Sequence, residues 1–124
     1  MATPGTAILV VDDDIDLRES LQEILEMEGY TVSTAEHGRH ALELLRGGYR
    51  PQLILLDLMM PIMDGAEFLT ELRGDPALAD TVVLVVSAFA DRATGLPAQR
   101  ILQKPLGLPK FLELLAELLE TEKG

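Results

Sequence analysis

Several side chains that could bind a metal ion or a phosphoryl group follow short apolar runs of the 124-residue sequence. They are Asp12 and Asp13 after the first run, Asp57 after the third, Ser87 after the fourth and Lys104 after the fifth. Ligands of open parallel sheets bind beyond the carboxyl ends of the strands. If these runs are strands of one such sheet, the acidic, hydroxyl and ammonium groups share a single site.

Carboxylates that crowd at one edge of a sheet repel each other. Two unit charges about 4 Å apart cost ~1 kcal/mol in water and ~4 kcal/mol at a dielectric typical of a protein surface. A hard divalent cation with oxygen ligands would offset this repulsion, and Lys104 would neutralise part of the remaining charge. The sequence therefore predicts a Mg²⁺ site among the acidic residues.

A carboxylate beside a metal ion and an ammonium can also hold a phosphoryl group. The metal ion and Lys104 would contact its oxygens, and Ser87 would donate a hydrogen bond to another of them. Aspartate can itself act as the nucleophile and form an acyl phosphate. We expect Asp57 to have this role, because it stands alone at the end of a central strand.

Each of these residues, taken alone, also has an ordinary structural interpretation. Acidic residues after a strand commonly cap the next helix, and Asp14 or Asp16 is expected to do so here. For Asp12 and Asp13, capping and metal binding are equally good interpretations. Asp57 alone would form a turn, and the hydroxyl and the ammonium alone would be surface groups. The chemical interpretation depends on all of these groups meeting at one edge.

The elements that must position these residues alternate between strands and helices. The strands are predicted at residues 7–11, 31–35, 53–56, 81–86 and 101–103, and the helices around residues 17–25, 41–45, 68–72 and 111–119. This alternation predicts a parallel sheet with helices on both faces. Before the last strand, Gly95 and Pro97 fall where a further helix belongs, so we expect that helix to be short or missing.

Composition excludes several classes of function. The chain has 21 acidic and 10 basic residues, a net charge of −11, which disfavours direct binding to nucleic acid or to anionic membranes. It has no cysteine, which excludes disulfides, thiolate zinc sites and thiol catalysis. No apolar run is long enough to span a membrane, and no secretory signal is visible. We expect one cytoplasmic domain over residues 1–124.

Four stretches of the sequence together resemble the receiver domain of two-component response regulators. They are ILVVDDD at residues 8–14, LLDLMMPIMDG at 55–65, VVSA at 85–88 and KP at 104–105. The second stretch alone is a specific signal, and the order and spacing of all four agree over essentially the whole chain. The resemblance implies a flavodoxin-like three-layer sandwich of α/β class, with five parallel strands in the order 2-1-3-4-5.

The resemblance also implies a role for each candidate residue. Asp57 corresponds to the phospho-acceptor, Ser87 to the hydroxyl that turns towards the phosphoryl group, and Lys104 to the lysine that pairs with it. The Lys104–Pro105 peptide would be cis.

The Mg²⁺ ligands that the resemblance implies are Asp57, Asp13, Asp12 and Met59. Asp13 would bind the ion directly, Asp12 largely through water, and Met59 through its backbone carbonyl.

The partners implied for such a domain are proteins. Phosphate would come from a histidine kinase or a phosphotransfer protein, and output would pass to a downstream protein that the sequence does not name. The chain would catalyse only its own phosphorylation and dephosphorylation, so it would not be an enzyme in the usual sense. Because the chain ends soon after the last helix, we expect a receiver of the single-domain type.

Two alternatives remain open from the sequence. Ile101 stands where the family usually has Tyr or Phe, so the chain could be a degenerate receiver that only binds partners. The complete set of acids, hydroxyl and lysine argues against such a loss of chemistry. A phosphatase with an aspartyl nucleophile is the other alternative. Such enzymes usually need a second acid two residues after the nucleophile, and Met59 stands there instead.

Overall fold

The computed structural model describes residues 6–60, 62–88, 95–104 and 106–123, with side chains up to residue 120. Within these ranges the elements are β1 (Ala7–Val11), α1 (Ile15–Met27), β2 (Thr31–Ala35), α2 (Gly38–Arg46), β3 (Leu53–Asp57), α3 (Gly65–Gly74), β4 (Val82–Ser87), β5 (Arg100–Gln103) and α4 (Leu108–Lys123). The predicted strands and helices are thus confirmed to within a few residues at their ends.

All the strands pair in parallel, and their order is β2-β1-β3-β4-β5. The register places Asp57 opposite Val86 and Ser87 opposite Gln103. The carboxyl ends of the central strands therefore lie side by side. This confirms the flavodoxin-like order that the resemblance implied.

The sheet separates two apolar cores, because successive side chains of a strand point to opposite faces. One core packs under α2 and α3, and the other under α1 and α4. The central strand β3 contributes Ile54 and Leu56 to the first and Leu53 and Leu55 to the second, all of them essentially inaccessible to solvent. Burial on both faces explains why β3 reads as an unbroken apolar run.

The connection between β4 and β5 is only partly described. Residues 95–99 form no helix, and residues 89–94 lie outside the described residues. A short or missing helix there thus stays a prediction for residues 89–94. In the part of the chain that the structure describes, no helix is both long and apolar enough to cross a membrane.

Arg73, near the end of α3, forms hydrogen bonds at the amino-terminal ends of β4 and β5, opposite the carboxyl ends of the strands. Its Nε donates to the Pro97 carbonyl at 2.9 Å, and its Nη1 donates to the carbonyls of Ala79 at 2.8 Å and Thr81 at 2.7 Å. Its Nη2 donates to Gln99 Oε1 at 3.2 Å. Burial lowers the pKa of Arg73, which the nearby charge of Asp80 opposes. This guanidinium thus links α3 to the residues just before β4 and to those just before β5.

Gly65 allows α3 to begin directly against the end of β3. Its N–H donates to the Leu58 carbonyl at 2.8 Å. A Cβ atom at this position would lie 2.8 Å from the Leu58 Cα and 2.9 Å from the Asp57 carbonyl oxygen, closer than Cβ atoms normally approach. The backbone after Asp57 therefore has this conformation only with glycine at position 65.

We predict that Gly65→Ala lowers the free energy of unfolding by about 1–3 kcal/mol, because the added methyl group must displace backbone. Gly74→Ala is the matched control at the other end of the same helix, where a Cβ would have no neighbour within 4 Å. The control should leave stability unchanged or raise it by up to about 1 kcal/mol. Urea denaturation measures both, and an equal effect of the two substitutions would contradict the close approach at Gly65.

Candidate functional site

The acidic run after β1 divides into residues with different surroundings. The Asp12 carboxylate is buried, with 4% of the residue exposed, and its Oδ1 accepts from the Asp14 N–H at 2.9 Å. Asp14 is the N-cap of α1, since its Oδ1 accepts from the N–H groups of Asp16 at 3.0 Å and Leu17 at 3.2 Å. Asp13 is exposed. The cap predicted at Asp14 or Asp16 is therefore Asp14, which leaves Asp12 and Asp13 for the pocket.

Three carboxylates meet at the carboxyl edge of the sheet, as the sequence predicted. One oxygen each from Asp12, Asp13 and Asp57 lies within 4.8 Å of the other two. Asp57 is only 6% exposed at the end of β3, so two of the three carboxylates are buried. This all-oxygen donor set matches the ligands that Mg²⁺ prefers. We call this cluster the acidic pocket.

Lys104 places its ammonium between the two buried carboxylates. Its Nζ donates to Asp12 Oδ2 at 3.0 Å and to Asp57 Oδ1 at 3.4 Å, and 22% of its side chain is exposed. The lysine thus lies closer to Asp12 than to Asp57. Its charge-assisted hydrogen bonds offset part of the repulsion within the acidic pocket.

The pKa values of the pocket follow from burial and from these contacts. Burial, followed by repulsion from Asp12, raises the pKa of Asp57 to about 6, although Lys104 acts in the opposite direction. Burial by itself lowers the pKa of Lys104, but its hydrogen bonds and attraction to Asp12 and Asp57 outweigh this, so that its pKa is raised. Additional positive charge near Asp57 would therefore favour its ionised form.

Ser87 lies at the same edge of the sheet as the acidic pocket. It is the last residue of β4 and is fully buried, and its carbonyl accepts from the Lys104 N–H at 2.8 Å. Met59 follows β3 by two residues, and its side chain is about half exposed. Its role as a carbonyl ligand stays a prediction. Pro105 lies outside the described residues, so the cis peptide also stays a prediction.

Sequence reasoning missed two features beside the acidic pocket. Gln103 Nε2 donates to the Ala88 carbonyl at 2.7 Å and to the Lys104 carbonyl at 3.3 Å. Ile62 has a φ of 68° and is 67% exposed, although β-branched residues rarely adopt this left-handed region. An exposed Gln before a lysine carries no distinctive sequence signal. Ile62 carries none either, because a β-branched residue is not expected at a turn position that favours Gly or Asn.

Comparison with known proteins agrees with this geometry. The sequence profile of the response regulator receiver domain matches residues 8–116. The response regulator MprA of Mycolicibacterium vanbaalenii is 42% identical over 119 residues, which cover 90% of this chain and 49% of that protein. MprA of Mycobacterium tuberculosis H37Rv is 40% identical over 121 residues, covering 94% of this chain and 51% of that protein. The chain spans about half the length of these curated relatives.

Solved structures with the same fold include isolated receiver domains. The receiver domain of a signal transduction histidine kinase from Syntrophus aciditrophicus has a TM-score of 0.87 and 30% identity, covering 94% of this chain and 92% of that one. The response regulator TrrA of Thermotoga maritima, solved in complex with Mg²⁺ and BeF, has a TM-score of 0.82 and 32% identity. That match covers 91% of this chain and 98% of TrrA.

We predict that Asp57→Asn stabilises the metal-free protein at about pH 7.5. A carboxyl whose pKa is raised in the folded state lowers the free energy of unfolding at pH values above that pKa. This loss diminishes as the pH falls below the folded-state pKa and vanishes below the pKa of the unfolded state. For a shift from 3.8 to about 6 the cost is on the order of 3 kcal/mol. Because Asn also loses a partner for Lys104, we expect a net gain of about 1–3 kcal/mol.

Urea denaturation in the presence of a chelator, at several pH values, measures this gain. The gain should shrink as the pH falls from about 7.5 to about 4.5. Glu19→Gln, which neutralises an exposed acid on α1, is the control and should show no comparable trend with pH. A gain from Asp57→Asn that does not depend on pH would contradict the raised pKa.

Proposed function

This chain belongs to the response regulator receiver domain family, and we propose that it accepts a phosphoryl group on Asp57 in a Mg²⁺-dependent reaction. The observation that carries the proposal is the position of the Asp57 carboxylate. It is buried at the end of the central strand, 3.4 Å from the Lys104 ammonium and beside the carboxylates of Asp12 and Asp13.

The proposed reaction transfers the phosphoryl group from a phosphohistidine. One carboxylate oxygen of Asp57 attacks phosphorus, and the phosphorus–nitrogen bond breaks. The bonding electron pair stays on the imidazole, and the product is an acyl phosphate on Asp57. Lys104 would bind one phosphoryl oxygen and Ser87 would donate a hydrogen bond to another, as charge shifts onto these oxygens in the transition state.

Mg²⁺ is the cofactor of this proposal. Asp12, Asp13, Asp57 and the carbonyl of Met59 would hold it, and the ion would neutralise charge on the phosphoryl oxygens. Two observations support the choice of metal. The three carboxylates converge within 4.8 Å of one another, and the related TrrA was solved with Mg²⁺ and BeF. Asp12 would take part partly through water, because it also accepts a hydrogen bond from Lys104.

The partners belong to the same proposal. The phosphoryl donor would be a histidine kinase or a phosphotransfer protein, and output would pass to a downstream protein in the cytoplasm. Direct nucleic-acid binding by this domain is disfavoured by its net charge of −11. The domain would catalyse its own phosphorylation and dephosphorylation without turning over other substrates. A phosphatase is disfavoured because Met59 stands where such enzymes usually need an acid.

We predict that the protein gains the mass of one phosphoryl group when incubated with Mg²⁺ and a small donor such as acetyl phosphate. Intact mass spectrometry measures the gain. Asp57→Asn should abolish it, because an amide is not a nucleophile of this kind, whereas Asp64→Asn, which alters only the cap of α3, should retain it. No gain in the wild type would favour a binding module, and steady hydrolysis of a generic phosphate ester would favour a phosphatase.

We also predict that Mg²⁺ raises the melting temperature, because a ligand that binds only the folded state stabilises it. At about 100 times the dissociation constant the gain is ~2.7 kcal/mol. Asp13→Asn should slightly stabilise the metal-free protein, since it removes one negative charge near Asp57, and should abolish the response to Mg²⁺. Asp16→Asn, at an exposed acid on α1, should keep the response. A metal-free protein destabilised by Asp13→Asn would contradict the repulsion argument.

A further inference from the structure

The side chain of Gln103 joins the carboxyl ends of β4 and β5 beside the acidic pocket. Both hydrogens of its amide nitrogen can donate, and their acceptors lie on the two strand ends. Nε2 is 2.7 Å from the Ala88 carbonyl oxygen and 3.3 Å from the Lys104 carbonyl oxygen. Ala88 directly follows Ser87, so the amide connects the strand end with the hydroxyl to the strand end with the ammonium.

The side-chain amide of Gln103 lies next to the last backbone hydrogen bond that the described residues form between these strands. Ser87 pairs with Gln103 in the register, and the Lys104 N–H donates to the Ser87 carbonyl at 2.8 Å. The Gln103 amide thus adds a side-chain hydrogen bond to the Ala88 carbonyl, one residue beyond that backbone hydrogen bond.

We propose that Gln103 is a positioning residue for phosphoryl binding, an inference that rests on the proposed function. A phosphoryl group on Asp57 must be contacted from two strands, by Ser87 from β4 and by Lys104 from β5. These groups act together only if the two strand ends keep a fixed spacing. The Gln103 amide fixes that spacing in advance, which lowers the cost of ordering the site when the group arrives.

Ile101 makes this polar connection more important in this chain. An aliphatic side chain at that position packs against the core under α2 and α3. It has no polar atom with which to follow a movement of the Ser87–Ala88 segment. The Gln103 amide is hydrogen-bonded to Ala88 itself, so the end of β5 would move with that segment and the spacing would be kept.

The test compares two ligands of the same pocket by calorimetric titration. Mg²⁺ alone would be held by the acidic residues, whereas beryllofluoride with Mg²⁺, a phosphoryl mimic, also needs Ser87 and Lys104. We expect Gln103→Met, which has a similar length and no donor, to weaken beryllofluoride binding about three- to tenfold, the range for loss of a hydrogen bond. The affinity for Mg²⁺ alone should not change.

Two further variants separate positioning from general stability. Gln103→Arg keeps N–H donors on a long side chain and should restore most of the affinity for beryllofluoride. Gln22→Met removes another exposed amide, which donates only a 3.5 Å hydrogen bond to Glu26 on α1, and should have no effect on either ligand. In the wild type, the backbone amide NMR signals of Ala88 and Lys104 should shift together on beryllofluoride binding, and Gln103→Met should reduce the shift at Ala88.

Each outcome decides between the two proposals. Suppose that the wild type binds Mg²⁺ and beryllofluoride, and that Gln103→Met binds each of them as tightly as the wild type does. The role of Gln103 is then overturned and the proposed function stands. The same holds if the variant weakens both ligands to the same extent, or if Gln103→Arg restores nothing. If the wild type itself does not bind beryllofluoride, the proposed function fails, and the role of Gln103 fails with it.

Discussion

The rest of the site depends on one interaction, the ion pairing of the Lys104 ammonium with two buried carboxylates. Asp12 directly follows β1, and Asp57 ends the neighbouring strand β3. Both are almost inaccessible to solvent, so their mutual repulsion is weakly screened. One lysine cannot neutralise both of them together with Asp13. Burial and the repulsion that remains together raise the pKa of Asp57, and the excess of negative charge makes the pocket suitable for a divalent cation.

Parallel topology brings these groups together from distant parts of the chain. Asp12 and Lys104 are 92 positions apart, yet their side chains are hydrogen-bonded. A parallel sheet needs a crossover after every strand, and each crossover returns the chain so that the next strand ends at the same edge. The helices thus serve the site indirectly: they cover the two apolar faces and leave the carboxyl edge open.

Much of this arrangement could be predicted from the sequence, because it follows from residue patterns that act locally. The unbroken apolar runs predicted the strands, and the residues after them predicted the acidic pocket and Lys104. What could not be predicted depends on spacing in three dimensions. The contact of Gly65 with the backbone of Leu58, and the reach of the Gln103 amide to Ala88, are set by how elements pack. No pattern of neighbouring residue types encodes those distances.

The cluster of hydrogen bonds around Arg73 restricts how the domain can move. These hydrogen bonds hold the residues just before β4 and just before β5 against α3, at the end of the sheet farthest from the acidic pocket. Sliding β5 along β4 would break these bonds together with the ladder between the strands. These hydrogen bonds leave the carboxyl tips of β4 and β5, rather than their far ends, as the part that can move. A rearrangement around Ser87 would then move the carboxyl tips of the two strands together, at the spacing that the Gln103 amide sets.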